Sequence, residues 1–378
     1  MSMTPSRSSK LRRYGRVIAV NILALAVLLI FVEGLASYLL LVYDLAVIFV
    51  PPYRRHTQYD PELGWLDRPN VYIPNLYGRR IYLRTNSAGF RNNGEFTARV
   101  PKDRYRIICT GDSFTLGVGV DNDHTWCHLL TVLDPRVEAV NMGQPGYGVD
   151  QAYLLYKRAG SQLDHDAHLF ALIGSDIDRM QSAQFQGYDK PLIRLENGAL
   201  VVGNVPVPRR SYYLPWLTDR KAIFNTLRTA DFVRRVRQKA QAQVPPSMSS
   251  ELARKEDGGR KTREVLHLLF ADLKRLNEER GSELFLVYLP ALSDFQPSGS
   301  VSWLDLIQEE SRALEVPLID VLGRFQALAD EEAQSMFILP GQGTYPGVNH
   351  LNERGNAFVA RVIYEELKGR VAIPRRQR

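Results

Sequence analysis

The amino-acid sequence predicts an α/β protein with a central parallel sheet of about five strands, preceded by one N-terminal transmembrane helix. Two observations support this fold class. From residue 104 onward, short apolar strands alternate with helical segments, an order typical of a parallel sheet with helices on both faces. Near the N-terminus, the uncharged stretch Val17–Val32 follows a basic tail. A composition of 45% hydrophobic and 24% charged residues allows a large core and excludes a disordered chain.

The alternating region contains strands and helices in turn. Strands are predicted at Tyr105–Thr110, Val137–Asn141, His168–Ile173, Glu283–Leu289 and Val316–Val321. Helices are predicted at Thr125–Leu133, Val149–Ala159, Thr262–Arg280, Ser302–Leu314 and Glu353–Leu367. The assignment rests on apolar runs of strand length and on longer segments with helical spacing.

The net charge of +7 does not indicate a nucleic-acid binder. Residues 1–16 carry five basic residues and no acid, so only +2 remains for the rest of the chain. A basic face of the kind that meets polyanions therefore loses its main support, and we expect no nucleic-acid partner.

The basic tail and the apolar stretch together predict a membrane anchor over residues 17–43. A helix of about 20 residues spans a bilayer, and the apolar character continues past Glu33 as far as Tyr43. A signal peptide is the alternative, but no clear cleavage site follows. The basic flank, residues 1–16, stays in the cytoplasm, so everything after residue 50 is expected outside it. In a bacterium this means a single-pass protein of the inner membrane with its large domain in the periplasm.

Composition divides the rest of the chain into three parts. A lead-in segment rich in Tyr, Arg, Asn and Pro covers 44–103, the α/β domain covers 104–370, and a short basic tail covers 371–378. The α/β domain is interrupted at 181–261 by a stretch too long for an ordinary connection, here called the insertion. It contains the aromatic segment Tyr213–Trp216 and a basic helix candidate, Lys221–Gln243, and is expected to build a lid or a substrate wall.

Three segments bring candidate catalytic groups to the edge of such a sheet where its strands end. Ser113 follows the first strand on a tight turn after Gly111, which exposes its hydroxyl at the carboxyl edge of the sheet. The glycine-rich turn 141–148 follows the second strand, and Gly143 is a candidate to donate its N–H to an oxyanion, although such turns also occur without function. His350 lies in the loop before the last helix, where it can act as a general base for Ser113.

These segments resemble the sequence blocks of the SGNH/GDSL hydrolases in order and spacing. The residues that carry the resemblance are Gly111-Asp112-Ser113, Asn141–Gly148, Gly174-Ser175-Asp176 and His350–Gly355. The resemblance covers roughly residues 104–370, and the lead-in segment is similar to that of membrane-anchored bacterial members. It implies a flavodoxin-like three-layer α/β/α fold and an acyl-serine mechanism that needs no cofactor and no metal. Ser113 would be the nucleophile and His350 the base, with the amides of Ser113 and Gly143 in the oxyanion hole.

Two positions depart from the family pattern. Ser175 stands where the family has the asparagine that gives the third oxyanion donor, and Gly347 stands where it has the aspartate that orients the histidine. A carboxylate from elsewhere, a backbone carbonyl or Asn349 can orient the ring instead. Asp112, Asp176 and Asn349 are candidates for the cleft, and Asp176 is equally suited to cap the next helix.

Two hypotheses about function follow from the resemblance. The first is an extracytoplasmic serine esterase or O-acyltransferase that acts on acyl esters, acetyl esters in particular, of a cell-envelope glycan or lipid. The second is a catalytically impaired protein of the same fold that binds acylated polysaccharide or scaffolds an envelope assembly. The pair His124 and His128 with Cys127 lacks a further ligand for a metal site, and pairing of Cys109 with Cys127 cannot be inferred from sequence.

Overall fold

A computed structural model describes residues 7–47, 55–186, 188–208, 227–241, 248–295, 303–343 and 347–370. The chain forms two compact units, Met1–Phe49 with Arg209–Glu251, and Val50–Pro208 with Leu252–Arg378. The aromatic segment at 213–216, the start of the basic tail at 1–6 and the tail at 371–378 lie outside the described residues.

Helices and strands are numbered along the chain. The helices are α1 (Arg7–Val47), α2 (Ser113–Leu116), α3 (Trp126–Leu133), α4 (Val149–Arg158), α5 (Gly174–Met180), α6 (Arg228–Gln241), α7 (Met248–Glu278), α8 (Leu304–Ala313), α9 (Val321–Gln326), α10 (Asp330–Gln334) and α11 (Glu353–Arg370). The strands are β1 (Thr57–Asp60), β2 (Gly64–Asp67), β3 (Tyr72–Ile73), β4 (Leu83–Arg84), β5 (Tyr105–Thr110), β6 (Val137–Asn141), β7 (Ala167–Leu172), β8 (Gln184–Phe185), β9 (Tyr188–Asp189), β10 (Leu192–Glu196), β11 (Ala199–Gly203), β12 (Glu283–Tyr288) and β13 (Leu318–Asp320).

Five strands form one parallel sheet in the order β13-β12-β7-β5-β6. If these five strands are renumbered 1 to 5 in chain order, from β5 to β13, their order in the sheet is 2-1-3-4-5, as in flavodoxin-like folds. The predicted fold class is confirmed, and the five predicted strands coincide with these strands to within two residues at each end. Parallel strands end on one edge, so the residues that follow β5, β6 and β7 meet there.

Both faces of the sheet are buried, which explains why the strands are apolar without alternation. Successive side chains of β5 point to opposite faces: Ile107 and Cys109 belong to one core cluster and Ile108 to the other. The first cluster includes residues of α3, α9 and α11, and the second includes residues of α4, α7 and α8. Helices on both faces of the sheet complete the three layers.

In the unit that contains α1, a polar residue of this apolar helix forms hydrogen bonds with α6. An 18-residue window within Arg12–Tyr43 has a mean hydropathy of 2.6, and among the described residues this is the one helix long and apolar enough to cross a membrane. Within the same unit, the Glu33 carboxylate accepts hydrogen bonds from the N–H of Thr229, at 3.0 Å, and from its hydroxyl, at 2.6 Å. Glu33 thereby satisfies a donor of the first turn of α6, whose free N–H groups favour a negative charge.

The insertion is more regular than its sequence suggests. Its first part forms two antiparallel hairpins, β8–β9 and β10–β11, and its last part is the beginning of α7, which starts at Met248 rather than near Thr262. The basic helix appears as α6, and residues 221–226 and 242–243 of that prediction lie outside the described residues. A fully buried ion pair between Lys190 and Asp150 fixes the hairpins on α4. Strands of two residues carry no periodicity, so the sequence could not reveal them.

A disulfide bond joins Cys109 of β5 to Cys127 of α3. Both residues are fully buried in the core, as expected for small apolar side chains, but their pairing was not inferable from sequence. The bond connects the central strand to a helix that packs on it, and it removes Cys127 from any metal-ligand set with its neighbouring histidines.

A polar network lies in the second core cluster. His168 is fully buried, stacks on Tyr156 with ring centroids 3.8 Å apart, and is 2.8 Å from the Thr110 hydroxyl. Asn277 bonds the other ring nitrogen of His168 and also contacts Tyr156 and His165. Burial, and then the neighbouring His165, lower the pKa of His168 well below its ordinary value. The folded protein therefore holds this imidazole neutral.

We expect acid to reduce the stability advantage of wild type over the variant His168→Asn. The unfolded chain takes up a proton near pH 6.5 and the folded chain does not, so each pH unit below about 6.5 removes about 1.4 kcal/mol until the folded pKa is reached. Urea unfolding of both proteins between about pH 7 and about pH 5 measures this difference.

His124→Asn is the matched control. Burial opposes protonation of His124, but the Asp121 carboxylate outweighs it and raises the pKa of His124. A raised histidine pKa adds stability in acid that is lost as the pH rises. The stability advantage of wild type over His124→Asn should therefore grow, rather than shrink, as the pH falls. A difference between wild type and His168→Asn that stays constant with pH would contradict the expectation.

Candidate functional site

Ser113 begins α2 at the carboxyl end of the central strand. The Asp112 side chain caps this helix by accepting a hydrogen bond from the N–H of Phe114 at 2.8 Å. At Gly111, φ is +155°, and a Cβ would lie 2.6 Å from the carbonyl oxygen of Ala171 in β7. Glycine is therefore required for the sharp turn that lifts Ser113 to the sheet edge.

His350 reaches Ser113 from the loop before α11. Its Nε2 lies 2.9 Å from the Ser113 hydroxyl oxygen. The imidazole packs on the Phe114 ring with centroids 4.9 Å apart, and its Nδ1 lies 3.3 Å from the carbonyl oxygen of Val348. A backbone carbonyl, one of the alternatives that the sequence left open, is thus an acceptor beside Nδ1. Since a carbonyl only accepts, this contact selects the tautomer with the hydrogen on Nδ1, in which Nε2 accepts a hydrogen bond from Ser113. The Ser113 hydroxyl also lies 3.3 Å from the Asp112 carboxylate, a longer contact than the one to His350.

Asp112 and Asp176 lie beneath the site and do not line its cavity. Both are almost fully buried and both bind the guanidinium of Arg179, at 3.0 and 2.6 Å respectively. Asp176 also accepts a hydrogen bond from the N–H of Ile173 at 3.0 Å, so it caps α5, the second of the two roles considered for it. Burial, and then the Asp112 charge, raise the pKa of Asp176 well above its ordinary value, while Arg179 opposes them.

The glycine that faces the site is Gly146, and the expectation for Gly143 needs correction. The N–H of Gly143 donates to the Asn141 side chain at 3.0 Å, and a Cβ at Gly143 would lie 2.2 Å from the backbone nitrogen of Leu116. Gly143 is thus a packing glycine whose amide is already used. Gly146 lines the cavity beside Ser113 with φ of +72°, and none of the described residues accepts a hydrogen bond from its N–H.

Ser175 lies at the start of α5 and lines the same cavity as Ser113 and His350. Its hydroxyl oxygen accepts a hydrogen bond from Nη2 of Arg179 at 3.0 Å. Asn349, another cleft candidate, also lines the cavity. The sequence patterns did not single out Arg179, because one basic residue on a short helix does not reveal its partners.

A cavity of about 310 Å³ opens in front of the Ser113 hydroxyl. Three aromatic side chains form part of its wall, and none of them belongs to the segments that follow the predicted strands. Trp65 comes from the lead-in segment, and Phe185 and Tyr188 come from the insertion. The insertion, expected to build a lid or a substrate wall, thus contributes two aromatic side chains to the cavity. Trp65 donates to the carbonyl of Pro145 at 2.8 Å, which holds the lead-in segment against the glycine-rich turn.

We expect Gly143→Ala to lower the free energy of unfolding by about 3 kcal/mol or more, because its Cβ has no room against the backbone of α2. Gly94→Ala is the matched control, since a Cβ there meets nothing within 4 Å. Thermal unfolding of both variants measures the difference. If Gly143→Ala is as stable as Gly94→Ala, Gly143 does not pack as described.

No family model and no curated protein matches the sequence. Similar solved structures include a member of the lipolytic protein G-D-S-L family from Veillonella parvula, with 14% identity over 71% of this chain and 100% of that chain and a TM-score of 0.38. A lipase/acylhydrolase from Enterococcus faecalis has 15% identity over 72% of this chain and 99% of its own, with a TM-score of 0.39. An acetyl xylan esterase has 14% identity over 69% and 99%, with a TM-score of 0.38. These three structures are described as a lipolytic protein, a lipase/acylhydrolase and an esterase, and their similarity to this chain concerns the fold alone.

Proposed function

We propose that the protein is a serine esterase or O-acyltransferase that works through an acyl-enzyme on Ser113. The observation that carries this proposal is the 2.9 Å contact between the Ser113 hydroxyl and Nε2 of His350. A serine hydroxyl is a weak nucleophile until a base within hydrogen-bond reach removes its proton. The pair lies beside an open cavity, where an ester carbonyl can approach.

The geometry supports a two-step reaction. His350 takes the proton of Ser113 as the serine oxygen attacks the acyl carbonyl, and the carbonyl oxygen becomes an oxyanion. The oxyanion is stabilised by the N–H groups of Ser113 and Gly146 and by the Ser175 hydroxyl. His350 then gives its proton to the leaving alcohol, and an acyl-serine remains. Water or a sugar hydroxyl, activated by the same histidine, removes the acyl group and regenerates Ser113.

The carbonyl of Val348 provides part of what an aspartate would provide. It selects the tautomer of His350 that can accept a proton at Nε2, and it fixes the ring together with Phe114. It carries no full charge, so it stabilises the imidazolium less than a carboxylate does. We therefore expect a working but slower enzyme. The impaired binding protein is the second candidate, and the replacements at Ser175 and Gly347 are what favour it.

The cavity supports a small acyl group on a larger polar carrier. Its volume of about 310 Å³ is small for a ligand site, and its aromatic walls suit an acetyl group and the apolar face of a sugar ring. Helix α1 supports a membrane anchor, and the disulfide bond supports an oxidising compartment such as the periplasm. Together they favour acyl esters of an envelope glycan or lipid as substrates, with no cofactor required.

We expect the full-length protein in detergent to hydrolyse a short-chain aryl acetate. Ser113→Ala and His350→Ala should each lower kcat by at least about 10³, and the double variant should lose little more, because the two side chains act as one unit. Initial rates at saturating ester measure kcat for each protein.

Ser293→Ala is the matched control, because Ser293 lines the same cavity and is not the proposed nucleophile. Its kcat should stay within about threefold of wild type, since it takes no part in bond making. Turnover that is unaffected by Ser113→Ala would exclude the proposed mechanism. A wild type without turnover would favour the binding protein.

A further inference from the structure

Arg179 connects the three chain segments that form the proposed oxyanion hole. Its Nη1 lies 3.0 Å from the Asp112 carboxylate and 3.0 Å from the carbonyl oxygen of Tyr147. Its Nη2 lies 3.0 Å from the hydroxyl oxygen of Ser175. Asp112 directly precedes Ser113 and Tyr147 directly follows Gly146. The guanidinium therefore bonds the residue before Ser113, the residue after Gly146, and Ser175 itself.

The guanidinium is held in place from several sides. Asp176 binds Nη1 at 2.6 Å, and the Phe185 ring lies 5.0 Å from the central carbon of the guanidinium. Only 15% of the Arg179 side chain is exposed. Two carboxylates, Asp112 and Asp176, already bind it, so attraction of an anionic substrate is not its main role. A planar, five-donor group with this many fixed partners serves instead to fix positions.

Ser175 is the donor that depends on Arg179 most. A serine hydroxyl rotates freely and can point its hydrogen away from the cavity, whereas the amide of an asparagine has fixed donors. Because the Ser175 oxygen accepts from Arg179, its own hydrogen must point elsewhere, and the cavity is the open side. A hydrogen bond from a charged donor is also stronger and polarises the hydroxyl as a donor.

We propose that Arg179 is a positioning residue of the oxyanion hole, which aligns the amides of Ser113 and Gly146 and orients the Ser175 hydroxyl as the third donor. This inference rests on the proposed function. It explains how serine can stand where related hydrolases have asparagine: the serine and the arginine together supply what the amide supplies alone. It also assigns a role to a side chain that takes no direct part in bond making.

The test compares Arg179→Lys with wild type on the full-length protein. Lysine keeps the charge but cannot bond three segments at once. We expect kcat for an aryl acetate to fall by about 10² to 10³ while KM changes less than about threefold, since the oxyanion exists only after attack. Inhibition by an aryl boronate, which forms a tetrahedral adduct with serine, should weaken about as much as kcat/KM falls.

Arg106→Lys is the matched control. Arg106 lies on the same strand as the turn to Ser113 but at the opposite end, and it too binds a carboxylate, Glu138, and backbone carbonyls. The Arg106→Lys variant should lose about as much stability as Arg179→Lys. Its kcat should stay within about threefold of wild type, because Arg106 holds no oxyanion donor. Equal loss of kcat in both lysine variants would reduce Arg179 to a structural residue and overturn the proposal.

Ser175 variants test the inference without altering the guanidinium. Ser175→Ala should lower kcat by about 10², and Ser175→Asn should restore it to within about tenfold of wild type. In the Ser175→Asn background, Arg179→Lys should cost less than it does in wild type, because the amide needs no orientation by arginine. Full activity of Ser175→Ala, or of a folded Arg179→Lys, overturns the inference while the proposed function stands. A wild type that neither turns over the ester nor binds the boronate overturns the proposed function itself.

Discussion

The hydrogen bond between the Ser113 hydroxyl and the His350 imidazole joins residues 237 positions apart, and the parallel sheet brings them together. The end of β5 fixes Ser113, and the loop before α11 fixes His350. Helix α11 packs against α3, which the disulfide bond ties to β5. The distance between nucleophile and base is therefore set by the same contacts that hold one face of the sheet. Stability and chemistry depend on one set of packed elements.

Charge balance is the second constraint on the site. Two buried carboxylates beside one guanidinium would leave a net negative charge near Ser113, and such a charge would oppose the formation of an oxyanion. Burial and the Asp112 charge raise the pKa of Asp176, so this cluster takes up a proton more readily than two ordinary carboxylates would. Arg179 then aligns the oxyanion donors without adding a strong electric field of its own to the cavity. Its effect on these donors acts through short hydrogen bonds.

The sequence predicted the sheet and the Ser113 and His350 pair because both depend on local signals: apolar runs of strand length, a tight turn and a histidine before the last helix. It indicated Gly143 rather than Gly146, since several glycines in one turn are equivalent until the path of the backbone decides which amide faces the cavity. The carbonyl of Val348 was one of several alternatives because backbone groups leave no trace in side-chain identity. Arg179 was missed because its importance comes from partners on three separate segments.

Activation of Ser113 as a nucleophile can be measured with a serine-directed fluorophosphonate. The full-length protein is treated with this reagent and digested, and its peptides are analysed by mass spectrometry. We expect a single adduct on the peptide that contains Ser113, formed at least about 10²-fold more slowly in His350→Ala. Absence of an adduct in the folded wild type, or an adduct on another serine such as Ser293, would contradict it.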